Sequence, residues 1–403
     1  MKKKKLLVIM TGAFFTLAAC AAPAATAAPP SVSTDAIAPA ETVEAADPPV
    51  VKTQDSGAPE PVGWEVQVVA EGLEVPWSLA FTSDERMLVA ERTGAIREIA
   101  GGLLNPQPLY VFSDIVRSGE AGLMGLSLDP GYADNRFVYA CYAQDSSAGI
   151  FNQVARLVDQ TDRLEMDVVI LEQIPSARNH AGCRLRFGPD GKLYITTGDA
   201  LDTSTAQNLD SLSGKILRVN PDGSVPVDNP FPGSLVYSYG HRNPQGIDWQ
   251  PGTGLLFSSE HGPSGFDGPG GGDEINLIQP GGNYGWPLVS HDETLEGTIP
   301  PIIQFTPAEA PASLSFYSGD VLPMFDGNLF FGALRGEGLV RVLLDENDPA
   351  SVLSVEKIVN DVGRVRDVVQ GPDGLIYFAT SNRDGRGRVQ PGDDKVLRLV
   401  PLF

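Results

Sequence analysis

A short sequence motif, which we call the repeated phrase, recurs six times between residues 82 and 387. This repetition restricts the possible fold of the chain more than any other feature. Each copy consists of a turn followed by a short apolar strand, and several continue into a second strand that carries an arginine. Asp-Gly and Pro-Asp-Gly turns supply the positive φ values of tight hairpins, and the alternating apolar residues suit half-buried strands. The copies occupy residues 82–99, 129–143, 188–199, 250–262, 325–344 and 371–387.

The spacing of these copies predicts an all-β fold. They begin 46 to 75 residues apart, which is typical of propeller blades or solenoid units, and no sustained helical period interrupts them. Six such units fit a six-bladed β-propeller, whose blades cover one another's edges around a central channel. A pair of β-sandwiches and a solenoid are the alternative architectures. In the propeller, the long segments 145–180 and 200–236 are expected to be loops on the functional face.

The N-terminus has the pattern of an export signal. A lysine-rich start and a short apolar core at residues 6–15 precede Leu-Ala-Ala-Cys at residues 17–20, and the core is too short to span a bilayer comfortably. The ending resembles a bacterial lipoprotein signal, which implies removal of residues 1–19 and lipidation of Cys20. The alternative is an ordinary secretion signal with an incidental Cys20. We therefore expect export and lipid anchoring to the cell envelope, on its periplasmic or extracellular face.

Residues 20–62 are predicted to be a disordered tether, because their Ala, Pro, Thr, Val and acidic residues include too little bulky apolar surface for a core. The folded domain is then expected to span residues 63–403, a length that a propeller can reach as one unit. Export permits a disulfide between Cys141 and Cys183, but the sequence does not decide whether they meet.

The formal net charge of −22 excludes nucleic acid as an expected partner, since phosphate binding requires a basic face. Several nucleotide and hydrolase motifs are also missing from the sequence. No G-x-G-x-x-G opens a helix, and neither a P-loop nor a G-x-S-x-G elbow occurs. Nicotinamide, nucleotide and serine-hydrolase functions are therefore disfavoured.

His180 and Asp199 form the first candidate pair. His180 precedes one strand and Asp199 follows the next, so both are expected at the same end of a blade. A neighbouring carboxylate fixes the tautomer of an imidazole and raises its basicity, which suits a general base acting on an alcohol. The alternative is a surface histidine at the end of a loop.

Arginines and an asparagine at other strand ends indicate an anionic ligand. Arg242 and Asn243 lie in the turn GHRNPQG and offer donors to a carboxylate or a quinone oxygen. Arg364 and Arg366 are two residues apart and point to the same face of a strand. Arg335 follows another strand. The ordinary alternatives are a β-turn and pairing with the many carboxylates of the chain.

A Gly-Pro turn and an acidic pair indicate calcium. The carbonyl oxygens of Gly262 and Pro263 are free to face an ion, and Ca2+ accepts backbone oxygens readily. The acidic pair Asp273-Glu274, together with Tyr284, provides further oxygen atoms nearby in the sequence. Acidic, glycine-rich loops are common, so each feature has a structural explanation; together with the arginines they indicate an oxygen-rich organic anion held beside calcium.

These motifs resemble the glucose/sorbosone dehydrogenase family, the soluble aldose sugar dehydrogenases that depend on pyrroloquinoline quinone (PQQ). The resemblance runs from about residue 70 to residue 400 in the order of the family. The matching stretches are VPWSLAF (75–81), GLMG (122–125), HAG (180–182), SGKILR (213–218), GHRNPQG (240–246), EHGP (260–263), DEIN (273–276), NYGWP (283–287) and GRVRD (363–367).

The resemblance implies an oxidoreductase that acts on a CH–OH group. It would oxidise aldose sugars at C1 to lactones by hydride transfer to calcium-bound PQQ, and would pass electrons to an acceptor that the sequence does not name. By position, His180 resembles the general base and Asp199 its partner, while Arg242 resembles the group that stabilises the oxyanion developing on the quinone. The positions that resemble cofactor contacts are Arg242, Asn243, Arg335, Arg364 and Arg366.

The resemblance also implies two calcium sites. The carbonyls of Gly262 and Pro263 resemble the ligands of the ion that polarises the quinone, and Glu274 and Tyr284 those of a second, structural ion. Departures from the family pattern are the long loop at residues 264–272, the lack of a clear sugar-facing aromatic and Glu120. Glu120 stands where a glutamine often contacts the cofactor, so it would repel an anion unless protonated or turned away.

Two other functions fit parts of the pattern. One is a non-catalytic, calcium-binding propeller that binds a protein or a glycan, which predicts loss of the base or of the arginines. The other is a calcium-dependent lactonase, which requires carboxylates and asparagines that converge on one ion in the channel.

Overall fold

The computed structural model describes residues 61–83 and 85–403. The predicted signal segment 1–19, Cys20 and the predicted tether up to residue 60 lie outside these ranges. Within the described residues, the chain forms six antiparallel sheets of four or five strands each, which we number as blades 1 to 6 in chain order. The all-β propeller predicted from the repeats is confirmed.

The chain enters through β1 (Gly63–Ala70), which belongs to the last blade, and then builds the first three blades in turn. Blade 1 contains β2 (Pro76–Ser83), β3 (Arg86–Glu91), β4 (Ala95–Ala100), β5 (Leu103–Leu104) and β6 (Tyr110–Val111). Blade 2 contains β7 (Leu123–Leu128), β8 (Phe137–Ser146), β9 (Gly149–Asp159) and β10 (Leu164–Ser176), with the one-turn helix α1 (Tyr132–Asn135) after β7. Blade 3 contains β11 (Leu185–Phe187), β12 (Leu193–Thr197), β13 (Lys215–Val219) and β14 (Val236–Tyr239).

The other three blades follow the same order from the channel outward. Blade 4 contains β15 (Pro244–Trp249), β16 (Leu256–Glu260), β17 (Asp273–Ile278) and β18 (Ile303–Phe305). Blade 5 contains β19 (Pro311–Phe316), β20 (Leu329–Ala333), β21 (Gly338–Leu344) and β22 (Val352–Val359), and blade 6 contains β23 (Val365–Gln370), β24 (Ile376–Thr380), β25 (Val396–Leu402) and β1. Short 3-10 turns occur at Thr203–Thr205 and Pro323–Phe325. In the described part of the chain, no helix is long and apolar enough to cross a membrane.

Each repeated phrase corresponds to the turn after the first strand of a blade and to the second strand that follows it. The turns before β12 and β24 both read Gly-Pro-Asp-Gly, and their last glycines, Gly191 and Gly374, have φ values of 70° and 76°. Residues with a side chain rarely adopt such φ values. The turn chemistry read from the sequence therefore placed the first hairpins of blades 3 and 6 correctly.

The two ends of the domain meet in blade 6. Strand β1 pairs in antiparallel fashion with β25, from Gly63 opposite Leu402 to Ala70 opposite Val396. The first strands of neighbouring blades contact one another around the whole ring, and those of blades 1 and 6 are among them. Because β1 closes the ring, the outer edge of β25 is covered. Blade 6 therefore contains strands from both ends of the domain, which keeps the ring of blades closed.

The prediction that residues 145–180 form a loop is wrong. Most of this segment is the long strand pair β9 and β10, which follows a tight turn at Gly149 with φ 125°. Val154, Ala155 and Leu157 of β9 are fully buried, so this segment packs as part of the blade. Residues 200–236 behave as expected on either side of β13, with loops at 200–214 and 220–235.

Blades 2 and 3 are also joined covalently. Cys141 in β8 forms a disulfide with Cys183, which precedes β11, and their Cα atoms are 5.8 Å apart. Both cysteines lie in a buried cluster with Trp77, Tyr139 and Leu185. The question that the sequence left open is thus answered, and the bond fixes the segment that contains His180.

Candidate active site

A cavity of about 460 Å³ lies where the first strands of blades 3 to 6 begin and the second strands end. This volume is within the range of small-molecule and cofactor sites. Its walls come from loops of blades 2 to 6. The predicted site residues that line it are Glu120, His180, Arg242, Asn243, Gly262, Pro263, Arg335, Arg364 and Arg366.

The backbone around His180 is folded tightly. His180 has φ 55°, and its N–H donates to Oε2 of Glu120 at 2.9 Å. A Cβ on Gly198 would lie 1.9 Å from the His180 carbonyl oxygen, so the strand end opposite must be glycine. His180 is only 4% exposed although it lines the cavity. The imidazole is therefore held in one position with little of its surface open.

Asp199 lies behind the imidazole, at the end of β12. Its Oδ1 is 2.7 Å from Nδ1 of His180 and also accepts the Leu201 N–H at 2.9 Å. Its Oδ2 accepts the indole N–H of Trp286 at 2.9 Å. This set of donors orients the carboxylate, and the proton of the neutral imidazole is placed on Nδ1 because Nδ1 faces a carboxylate. Nε2 is then the nitrogen that can accept a proton.

Arg242 is held by the chain itself. Its Nε donates to Asp267 at 2.7 Å, Nη1 to the His261 carbonyl at 2.9 Å and Nη2 to Ser264 Oγ at 3.0 Å. A guanidinium group has five N–H donors, so two remain for a ligand. The backbone of Arg242 is fixed too, because its N–H and that of Asn243 donate to Oε1 of Glu260.

Glu260 belongs to a buried chain of hydrogen bonds below this turn, which we call the Ser-His-Glu relay. Its other oxygen is 2.8 Å from Nδ1 of His241, and Nε2 of His241 is 2.8 Å from Oγ of Ser238. This Ser-His-Glu order resembles a hydrolase triad, but Ser238 and His241 are completely buried. The relay has no access to a substrate, and its effect is to orient the turn that carries Arg242 and Asn243.

Arg366 differs from the other arginines. It is 3% exposed, and only Nη1 finds an acceptor, Oε1 of Gln245 at 2.9 Å; among the described residues its buried Nε has none. Burial lowers the pKa of Arg366 to about 9, so it remains a cation at neutral pH. A buried, partly unpaired cation on the cavity wall fits an anionic ligand that supplies the missing acceptor.

Arg364 and Arg335 both line the cavity, but within the described residues only Arg364 is held by hydrogen bonds to the protein. Arg364 pairs with Asp384 at 2.7 Å and donates to the Leu334 carbonyl at 2.6 Å. Arg335 is exposed at the rim. The first is therefore positioned by the protein, and the second is free to move toward a ligand.

Glu120 is turned toward the protein. It accepts the His180 N–H and the Asn243 side-chain amide at 3.0 Å, and lies 3.8 Å from Arg386. Burial opposes its ionisation, but the Arg366 cation and the Asn243 hydrogen bond favour the anion, and the pKa of Glu120 is lowered. It is therefore an anion whose Oε2 accepts two hydrogen bonds from the protein itself.

The predicted calcium ligands are in two places. Gly262 and Pro263 line the cavity, and the Pro263 carbonyl also accepts the Gly271 N–H at 3.2 Å. Glu274 and Tyr284 lie in a smaller crevice beside this turn, together with Glu260. The described residues contain no group of three or more His, Cys, Asp or Glu side chains placed to hold a metal.

The chemistry of the crevice suits Glu274 better than the Tyr284 phenol. Burial, followed by the charge of Glu260, raises the pKa of Glu274 to about 8, and a cation would relieve this repulsion. The Tyr284 hydroxyl donates to the Leu277 carbonyl at 2.7 Å and accepts the Gln279 N–H at 2.8 Å. The phenol is thus already satisfied.

Sequence reasoning gave no role to several residues that shape this site. Trp286 orients Asp199, and His261, Phe266 and Arg386 line the cavity. Burial lowers the pKa of His261 to about 4, so this imidazole is neutral. Their positions in the sequence could have identified some of these residues. Trp286 and His261 lie within the matched motifs, and Phe266 lies within the long loop.

The comparisons with known proteins agree with this architecture. A family model described as Glucose / Sorbosone dehydrogenase matches residues 73–391. The chain belongs to this family. The family prediction made from the motifs is confirmed, and the match spans all six blades.

Several of the proteins to which the chain is similar are described as sugar or glucose dehydrogenases. The aldose sugar dehydrogenase YliI of Escherichia coli is 34% identical over 350 residues, which cover 81% of this chain and 92% of the relative. A Thermus thermophilus oxidoreductase described as a glucose dehydrogenase shares 45% identity with a TM-score of 0.78, over 84% of this chain and all of that one. The PQQ-bound aldose sugar dehydrogenase of Streptomyces coelicolor shares 34% identity with a TM-score of 0.75, over 85% of this chain and 99% of that one.

Proposed function

We propose that this member of the glucose/sorbosone dehydrogenase family oxidises aldose sugars at C1 to lactones, with PQQ as cofactor and calcium as its metal. The observation that carries the proposal is one cavity that is lined both by a carboxylate-oriented histidine and by a buried, partly unpaired arginine. The first is suited to removing a proton from an alcohol, and the second to holding an organic anion.

The residues present fit the cofactor. PQQ carries carboxylates and quinone oxygens, and the cavity offers the unpaired Nε of Arg366, the exposed Arg335 and two free donors of Arg242. These groups would hold it. The chemistry that PQQ supplies when bound is the acceptance of two electrons as a hydride.

The Gly262–Pro263 turn fits calcium only in combination with that anion. Calcium takes six to eight oxygen ligands, and this turn provides two main-chain carbonyls. The remaining ligands would come from the organic anion and water. In the adjacent crevice, Glu274 has the raised pKa expected of a carboxyl that lacks a nearby cation. We propose it as a ligand of a second ion, with Tyr284 contributing through its main chain.

His180 is the proposed general base. Its Nε2 would accept the proton of the C1 hydroxyl while C1 loses its hydride, so that C1 becomes the carbonyl carbon of the lactone. Asp199 would stabilise the imidazolium that forms, because its carboxylate lies at hydrogen-bond distance from Nδ1. The two free donors of Arg242 would stabilise negative charge on the bound anion.

The alternatives fit less well. A lactonase of the kind considered requires side-chain carboxylates and asparagines that converge on one ion, and within residues 61–83 and 85–403 no three His, Cys, Asp or Glu side chains are placed to hold a metal. A purely binding propeller does not require a histidine oriented by a buried carboxylate. We further propose that residues 63–403 form the catalytic domain and that Cys20 carries a lipid anchor; metabolic labelling with a fatty acid, with Cys20→Ser as control, tests the anchor.

The decisive experiment is reconstitution. The protein purified without cofactor is mixed with PQQ and Ca2+, and reduction of an artificial dye is followed with a panel of aldoses. We expect aldose-dependent reduction that requires both additions, with the lactone as product. Stable binding of PQQ without turnover of any aldose would overturn the assignment of substrate class, and failure to bind PQQ would overturn the assignment as a whole.

A further inference from the structure

We propose that Lys215 is a positioning residue, which anchors the loop at residues 199–207 and so holds Asp199 in place behind His180. This inference rests on the proposed function for its catalytic meaning, since His180 is the proposed base. It goes further by giving a role to a buried lysine that does not line the cavity. Lys215 is the first residue of β13 and belongs to the matched stretch SGKILR.

The ammonium group of Lys215 binds three main-chain carbonyls. Lys215 is completely buried, and its Nζ donates to the carbonyl oxygens of Thr205 at 2.9 Å, Ala206 at 3.0 Å and Ser213 at 2.7 Å. An ammonium group has three N–H donors, so each carbonyl receives one. A neutral amine has only two N–H groups, and its lone pair would face the third carbonyl. The arrangement therefore fits the charged form of the side chain.

A cation in this position is costly for the protein. Burial lowers the pKa of Lys215 to about 7, and among the described residues no carboxylate opposes this effect. Two other buried cations of the site, Arg242 and Arg364, each pair with a carboxylate. The hydrogen bonds of Lys215 all go to main-chain oxygens instead. A buried ion bound in this way fixes the path of the backbone, because leaving those carbonyls without a donor would also be costly.

The loop that Lys215 anchors begins with a strained turn. Ala200 and Leu201 have φ values of 55° and 65°, in the left-handed region that residues with a Cβ rarely adopt. The turn brings the Leu201 N–H within 2.9 Å of Oδ1 of Asp199, the same oxygen that lies 2.7 Å from Nδ1 of His180. Such a backbone persists only where the surrounding contacts hold it. The orientation of the carboxylate therefore depends on what anchors the far end of the loop.

Thr205 connects that far end to Asp199. Its carbonyl accepts from Lys215, and its hydroxyl lies 2.7 Å from the Asp202 carbonyl and 3.3 Å from the Asp199 carbonyl. The Thr205 N–H also donates to the Asp202 carbonyl at 3.1 Å. The loop is thus folded onto itself between Asp199 and Lys215, so that a displacement of its anchored end reaches Asp199.

A second connection runs from the same loop to the other oxygen of Asp199. Gln207 follows the residues that Lys215 binds and donates from Nε2 to the Trp286 carbonyl at 2.7 Å. The indole N–H of Trp286 donates in turn to Oδ2 of Asp199 at 2.9 Å. Both carboxylate oxygens are therefore oriented through contacts of a loop whose end Lys215 fixes.

Proton NMR of the protein without cofactor tests this inference independently of any reaction. An imidazole N–H that donates to a carboxylate forms a strong hydrogen bond and resonates far downfield. Two such protons are expected, on Nδ1 of His180 and on Nδ1 of His241, which lies 2.8 Å from Glu260. Spectra of His180→Ala assign the first signal. The measurements are made at slightly acidic pH, where the ammonium form of Lys215 is favoured.

We expect the His180 signal to shift or disappear in Lys215→Met, which has a side chain of similar length and no donor. The His241 signal should remain. Lys192→Met is the matched control, because Lys192 lies at the opposite end of blade 3 and binds the Asn220 side chain at 2.6 Å. This control should keep both signals.

Dye-reduction kinetics of the reconstituted protein give the catalytic consequence. We expect Lys215→Met to lower kcat about 10- to 100-fold with little change in KM, because a misplaced base slows the chemical step and leaves the binding contacts of the sugar in place. Thr205→Val keeps the shape of its side chain and removes the hydroxyl near the Asp199 carbonyl. It should show a smaller loss of kcat in the same direction, and it provides the test if Lys215→Met does not fold.

Three results would overturn the inference. One is an unchanged His180 signal in folded Lys215→Met, and another is an unchanged kcat in that variant. The third is a joint loss of the His180 and His241 signals in both Lys215→Met and Thr205→Val, which would mean that the lysine supports only the fold of the blade. A selective change of the His180 signal in a protein that oxidises no aldose would refute the proposed reaction and leave the positioning role intact.

Discussion

Nδ1 of His180 lies 2.7 Å from Oδ1 of Asp199, and both side chains are almost completely buried. The two residues are 19 positions apart and come from the two ends of a β-hairpin in blade 3. The pair leaves only the far nitrogen of the imidazole available to the cavity. The first prediction concerns this nitrogen.

Replacement of His180 by alanine is expected to lower kcat about 10²- to 10⁴-fold, the usual contribution of a general base. Binding of PQQ should persist, since the arginines that would hold it are elsewhere on the wall. Dye-reduction kinetics and an absorbance titration with PQQ measure the two effects separately. A parallel loss of both would show that His180 has a structural role only.

Replacement of Arg366 by glutamine is expected to change the melting temperature of the PQQ-bound protein and of the PQQ-free protein in different ways. In the free protein, the variant removes a buried cation whose Nε has no acceptor in the described part of the chain, so the melting temperature should stay the same or rise. The increase in melting temperature that PQQ produces should largely disappear. Arg163→Gln, at an exposed arginine on blade 2, is the matched control. An unchanged response to PQQ would remove Arg366 from the proposed cofactor site.

Calcium removal by a chelator is expected to lower both dye-reducing activity and thermal stability. Glu274→Gln separates the two proposed ions. This variant should lose most of the stabilisation by Ca2+ and keep most of the activity, because Glu274 lies in the crevice outside the main cavity. Thermal melts and assays at a series of Ca2+ concentrations give both quantities. Indifference of the parent protein to chelator would count against both sites.

Loss of the Cys141–Cys183 bond is expected to lower the free energy of unfolding by about 3–4 kcal/mol. A cross-link that spans 42 residues restricts the unfolded chain by about this amount. Urea unfolding of the Cys141→Ala, Cys183→Ala double variant measures the loss, and reduction of the parent protein should reproduce it. Equal stability of oxidised and reduced protein would show that the bond does not stabilise the fold.

Deletions at the N-terminus test the closure of the ring. A chain that begins at residue 61 should melt like the full chain, since β1 begins at Gly63. A chain that begins at residue 72 lacks β1 and exposes the edge of β25, so it should melt at a lower temperature and self-associate. Circular dichroism and size-exclusion chromatography compare the two. Equal behaviour of both chains would show that β1 is not required.

Much of the fold could be predicted because its signals are local. Three of the six repeated copies contain an Asp-Gly turn, whose glycine has a positive φ. All six copies continue into a short apolar strand, so six hairpins could be counted. The strand pair at residues 145–180 was missed because β10 is interrupted by bulges at several positions. Bulges break the two-residue period on which strand prediction depends.

The candidate site could be predicted as a set of residues but not as an arrangement. The motifs named the histidine, the arginines and the Gly-Pro turn. They did not show that Asp267 accepts a hydrogen bond from Arg242, that Arg366 is left with a buried unpaired donor among the described residues, or that Glu120 turns toward the His180 backbone. These contacts depend on which hydrogen-bond partners, 25 to 123 residues away in the sequence, lie beside each side chain in the folded protein.

The sequence by itself determined a ring of six turn-and-strand units with polar groups at their ends, since hairpin geometry is set by residues that are neighbours in the chain. Only the tertiary structure decided the disulfide, the strand that closes the ring, and the placement of Phe266 beside His180. The physical reason is that each of these contacts joins separate blades or loops. Their distances are fixed by the packing of the whole ring, on which local turn and strand preferences have no direct influence.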